Sequence, residues 1–223
     1  GPLDGPMNPR CNMTFVIVML VVNVLIAWLN AYTAGTVWHD AKKEGGMLRF
    51  MAWSAAILSA IGFSQPILLA VTIGGQSWFA AHPELGVEHV KFAKLVVSLW
   101  YLLVILPVLS IGLVVTLQSW HEAIKSRNPI DVAVASWNTY AQVKNTLDAV
   151  DQLPQAAGAV GDAFGSAFGS LGDGDPDSVP ALLLICVVVA VAIALTGGAL
   201  ITMALIQRYS RREARYDAVT AAK

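Results

Sequence analysis

Charge is what this sequence most lacks. Asp, Glu, Lys and Arg make up only 13% of its 223 residues, against about 25% in an ordinary soluble domain. Hydrophobic residues reach 56% and mean hydropathy is +0.62. That combination excludes a water-soluble globular domain. It excludes intrinsic disorder too, which needs low hydrophobicity and high charge. A net charge of −1 leaves no basic excess for nucleic acid. The two cysteines, Cys11 and Cys186, sit at the edge of the first apolar run and inside the last. With no CxxC and no Cys/His spacing suited to zinc, they read as packing residues rather than a metal framework. Catalytic fingerprints are missing as well: there is no GxSxG, P-loop, HExxH or dinucleotide-binding glycine pattern. The opening Gly1-Pro2-Leu3-Asp4-Gly5-Pro6 reads as the remnant of a cleaved tag, with a natural start at Met7.

What the chain has is long apolar runs. Four of them, about Met13–Val37, Phe50–Ile73, Val90–Leu117 and Ala181–Ile206, each meet the roughly 20 residues a helix needs to cross a bilayer core. Unbroken runs of this length predict helices that satisfy their own backbone bonds, not the alternating strands of an outer-membrane barrel. The expected fold is therefore all-α: a polytopic helical bundle in contact with the lipid bilayer. The expected segments are a tail at 1–12, three spans within 13–118, an insertion at 119–180, a fourth span at 181–207 and a basic tail at 208–223. Trp38, Trp53 and Trp120 fall where one membrane interface is expected, and Trp78 marks the other.

The insertion decides the topology. Asn128-Pro129 is a helix start, an N-cap residue followed by proline at the first helical position. From there Ile130, Val134, Trp137, Ala141, Leu147 and Val150 recur at helical spacing, predicting an amphipathic helix that stops near Pro154. Such a helix lies on the membrane surface or packs against a partner or the bundle end. Gly161, Gly165 and Gly169 then form a doubled GxxxG, beside Phe164 and Phe168. This pattern suits a flexible linker or a helix packed closely inside a membrane. Arg208, Arg211, Arg212 and Arg215 put the C-terminus in the cytoplasm of an inner or plasma membrane. With four crossings, Lys42, Lys43, Arg49, Lys125 and Arg127 would lie on the wrong side; a fifth crossing over about 153–171 would repair that. Insertion energy points the other way, since Asp162 alone costs about 3 kcal/mol at a helix centre. The expectation is four crossings, with a Gly-rich segment that crosses or re-enters as the alternative.

Candidate chemistry is sparse. Trp38-His39-Asp40-Ala41-Lys42-Lys43 and Trp120-His121-Glu122-Ala123-Ile124-Lys125 echo each other at the ends of two spans. His39, Asp40, His121 and Glu122 could hold a divalent metal, form a protonatable cluster, or be solvated anchors beyond the tryptophans. His82 and His89 read as a solvated loop. Asp173, Asp175 and Asp177 lack the rest of a calcium loop and read as a solvated turn. Within the spans, Asn23, Asn30, Ser64 and Gln65 suit interhelical hydrogen bonds or a polar pathway. Gln65-Pro66 and Pro107 can open backbone bonds, and Ser54, Ser59 and Gly197-Gly198 offer small-residue seams.

The expected function is non-enzymatic: an oligomeric pore or channel built from copies of the chain, or a subunit of a membrane transport complex. A membrane anchor or accessory subunit of a metal or redox enzyme, and a membrane-remodelling or lytic protein, are the alternatives.

Overall fold

The computed structural model describes residues 9–172 and 179–221. They form five long helices: α1 (Pro9–Glu44), α2 (Gly46–Ala81), α3 (His89–Ser126), α4 (Pro129–Gly172) and α5 (Val179–Ala221). A single 3-10 turn, Pro83–Leu85, sits between α2 and α3. There is no strand among the described residues. The all-α expectation holds, and α1, α2, α3 and α5 are each long and apolar enough to cross a membrane. Neither Pro66 nor Pro107 ends its helix. The basic segment after Ile206 continues α5.

The helices pack in two units, one built from the chain up to Leu69 together with Ile193 onward, the other from Ala70–Ala192. In the first unit, α1 and α2 are antiparallel. Asn23 donates to Gln65 at 2.8 Å, Gly62 meets Ala27, and Trp38 meets Trp53 edge-on at 5.4 Å. α2 and α5 are antiparallel too. A side chain on Gly198 would collide with the Ala60 carbonyl, and the buried hydroxyls of Ser59 and Thr202 lie 3.0 Å apart. α1 and α5 consequently run the same way, closest where Gly35 faces Tyr209 and Ile206. Small residues at every crossing let the backbones approach, which is how helices adhere where no hydrophobic effect separates them from solvent.

In the second unit the end of α2 packs on the start of α3 through Phe79 and Phe92, 5.2 Å apart. Only Arg127 and Asn128 link α3 to α4. Arg127 takes the left-handed conformation, φ 52°, and its N–H bonds the Ala123 carbonyl. Asn128 Oδ1 then accepts the N–H of Ile130 at 3.0 Å, the cap that Asn-Pro predicts. A two-residue link leaves α4 no course but back along α3. At the far end, Val179 at the start of α5 lies against Gly86, and Leu184 and Val187 join Leu95 and Leu99. α5 thus starts parallel to α3.

One expectation is corrected here. α4 does not stop at Pro154; it is one helix of 44 residues through the glycine-rich stretch, which is not a linker. Proline in a helix interior costs about 3 kcal/mol, and packing along α3 on both sides of an outward-facing Pro154 offsets it. α4 returns antiparallel along α3; among the described residues the helices long and apolar enough to cross a membrane are α1, α2, α3 and α5, the four expected.

Candidate functional site

α4 is held to α3 by a seam of alanines. Ala135, Ala149, Ala156 and Ala163 are all buried, and they stand at seven-residue multiples with Gln142 filling the remaining position. A seven-residue repeat keeps one face turned to a neighbouring helix. Polar clamps fix the register. Trp120 donates its indole N–H to the Thr139 hydroxyl at 2.8 Å, and Asn138 donates to Ser119 Oγ at 2.6 Å. Gln142 donates to the carbonyl of Leu109 at 3.0 Å. Its side chain lies over Gly112, where any Cβ would overlap it. Further along, Val160, Ala163 and Phe164 meet Leu95 and Leu99. The stretch from Gln142 to Phe164 therefore runs beside the apolar part of α3.

The remaining surface of that stretch divides into two strips. Val143, Leu147 and Val150, at 52%, 60% and 63% exposure, form an outward apolar strip. Next to it Lys144, Asp148, Asp151, Gln155 and Asp162 follow one another at helical spacing, all exposed. Asn145 and Gln152 flank them, also exposed. Gly158, Gly161, Gly165 and Gly169 have nothing within 4 Å of where a Cβ would stand. The glycine face expected to pack closely is thus open within one chain, and alanines make the intrachain contact. A charged strip on a helix that runs beside the apolar part of α3 is the feature with most chemical consequence. An Asp or Lys at the centre of a membrane helix costs about 3 kcal/mol. Three aspartates and one lysine facing lipid would together cost on the order of 10 kcal/mol, comparable with the whole stability of a domain.

The other anticipated residues divide by location. Asn23 and Gln65 bond each other. Ser64 is fully buried and donates to the Ile61 carbonyl at 2.7 Å, and Asn30 is half-buried. Asp40, His121 and Glu122 are exposed, and the side chain of His39 lies outside the described residues. Among the described residues, no three His, Cys, Asp or Glu side chains gather where a metal could sit. The Asp173–Asp177 run and the side chain of Cys11 also lie outside the described residues.

The six-residue echo has a structural counterpart. Its alanines, Ala41 and Ala123, are buried. Each offers its carbonyl to the residue four further on, Gly45 and Arg127, which adopt φ 67° and 52°. The repeat marks two equivalent helix ends.

No protein-family model matches the chain, nor does any curated protein or solved structure. The class of protein rests on the fold: four helices long and apolar enough to cross a bilayer indicate an integral membrane protein.

Proposed function

We propose that the protein is a non-enzymatic membrane pore, formed when copies of the chain assemble with the polar strips of α4 turned toward a shared water-filled path. One observation carries this reading: Lys144, Asp148, Asp151, Gln155 and Asp162 are exposed on one strip of a helix that runs beside the apolar part of α3. Water or a second polar strip removes the desolvation cost that lipid would impose. The neighbouring apolar strip of Val143, Leu147 and Val150 suits a lipid-facing or subunit-facing surface. The open glycines let adjacent copies approach.

Three aspartates against one lysine give the path a negative lining, which favours cations. With α4 crossing the bilayer as a fifth span, the basic ends of α1, α2, α3 and α5 fall on one side. The positive-inside rule makes that side, and the C-terminus, cytoplasmic.

The test is reconstitution. The purified protein should run as a detergent-stable oligomer and make vesicles leak potassium in preference to chloride. Asp148→Asn together with Asp151→Asn should reduce that preference while the oligomer persists. A monomer that leaves vesicles sealed overturns the proposal. An assembly that forms only with another protein would replace it with a subunit role in a transport complex.

A further inference from the structure

A second feature lies within the first unit. Between α1, α2 and α5 there is a cavity of about 470 Å³, lined chiefly by Trp38, Trp53, Ala60, Ala199 and Met203, with Gln207 at one end. Its volume is within the roughly 300–1,000 Å³ of sites that hold small molecules. Alanines create the space, and the cavity opens sideways, where Trp53 and Met203 are 58% and 50% exposed. It sits at the level where α1 and α5 leave their apolar stretches, so the medium outside it is the acyl region just beneath the headgroups.

Gln207 also belongs to a second groove on α5, whose other lining residues include Arg208, Arg211, Arg212 and Arg215. Gln207 is the side chain the apolar slot and the arginine groove share, so the two adjoin around one edge of α5. Arg212 also lines a further groove together with Glu213. Arg208 and Arg211 are the pair nearest Gln207 in sequence, and both are exposed. Guanidinium groups bind phosphate through two parallel hydrogen bonds.

We infer that this slot and groove together bind one anionic phospholipid, with an acyl chain between Trp53 and Met203 and its phosphate at Arg208 and Arg211. The apolar half selects an amphiphile that arrives from the bilayer. The cationic half distinguishes a net negative headgroup from a zwitterionic one, which carries its own ammonium. Basic side chains near a membrane surface are attracted to anionic lipid in this way. The site is independent of any pore formed by α4.

The experiment is native mass spectrometry of the full chain in neutral detergent, titrated with phosphatidylglycerol or phosphatidylcholine of the same acyl length. Phosphatidylglycerol should bind in the first site about tenfold more tightly, the scale of one or two charge contacts. Arg208→Gln with Arg211→Gln should bring the two lipids level. These side chains project from the helix surface, so the fold should survive the change. Ala199→Leu, which fills the slot, should weaken both lipids. Glycerophosphate, which has the headgroup charge and no acyl chain, should not compete. Equal affinity for the two lipids in the unaltered protein would overturn the inference. So would an unchanged preference after both arginines are replaced, or full competition by glycerophosphate.

Discussion

Gln142 on α4 donates a hydrogen bond to the carbonyl of Leu109 on α3 at 3.0 Å, and the glycine at position 112 leaves the room its side chain needs. This contact fastens α4 beside the apolar body of α3. Replacing Gln142 with Leu should weaken the hairpin by about 1 kcal/mol, the usual value of an interhelical hydrogen bond in membranes. Gly112→Ala should do at least as much, because the new methyl displaces the amide. Denaturant titration of the detergent-solubilised protein checks both, and combining the two changes should give less than their sum, since they break one interaction.

The alanine seam makes a prediction about size. Ala156→Leu and Ala163→Leu insert bulk where α3 and α4 touch, and overpacking of this kind costs about 1–3 kcal/mol. Leu147→Ala, on the outward strip at 60% exposure, should change monomer stability by under about 0.5 kcal/mol. Thermal unfolding of the three variants in one detergent ranks them. Equal effects would mean that α4 rests on α3 through its large residues instead.

Ser59 and Thr202 form a buried hydroxyl pair between α2 and α5, 3.0 Å apart. Thr202→Val strands the Ser59 hydroxyl and should destabilise by about 1–2 kcal/mol. Ser59→Ala with Thr202→Val should cost less than the two single changes added, because neither partner is then left unsatisfied. A double-mutant cycle reads the coupling directly.

The open glycines separate fold from assembly. Gly165 has nothing within 4 Å of a Cβ position, so Gly165→Leu should leave the unfolding of a single chain unharmed or slightly improved, by up to about 1 kcal/mol. The same change should shift the detergent-solubilised protein toward monomer, measured by light scattering after size exclusion. Unchanged oligomers would remove the glycines from the subunit contact.

Much of the fold was legible in the sequence, and the reasons are specific. Four apolar runs longer than a bilayer requires could hardly be anything but helices. Asn128-Pro129 marked the start of α4 because the cap chemistry is local. The apolar stripe of Ile130, Trp137, Leu147 and Val150 was read as meeting the membrane surface, a partner or the bundle end, and within the chain all four are exposed at 60% or more. The buried stripe is Ala135, Ala149, Ala156 and Ala163, whose seven-residue spacing was visible but carried no hydrophobic signal. In hydrocarbon, small residues win contacts because they let backbones close up.

Topology was the harder matter. Positive charge on Lys42, Arg49, Lys125 and Arg208 pointed to a fifth crossing, and the insertion cost of Asp162 pointed against it. The cost is real for a helix facing lipid on all sides; the alanine seam covers one face of α4 against α3, and the polar path proposed above would receive the charged one. The metal reading of His39, Asp40, His121 and Glu122 rested on a repeat whose shared backbone feature proves to be the way α1 and α3 end. The proposed lipid slot gave no motif, because its tryptophans, alanines and methionine come from three separate helices brought together only by packing.

Side-specific labelling in intact cells tests the proposed five-crossing arrangement most directly. With Cys11 and Cys186 replaced, single cysteines would be introduced at Met47, at Glu84 in the α2–α3 connection, and at Arg211, all exposed positions. An impermeant maleimide should treat Met47 and Arg211 alike, both protected until the membrane is opened, and should label Glu84 from outside. If Met47 and Arg211 instead respond from opposite sides, α4 does not cross, and the polar path built on it falls with that result.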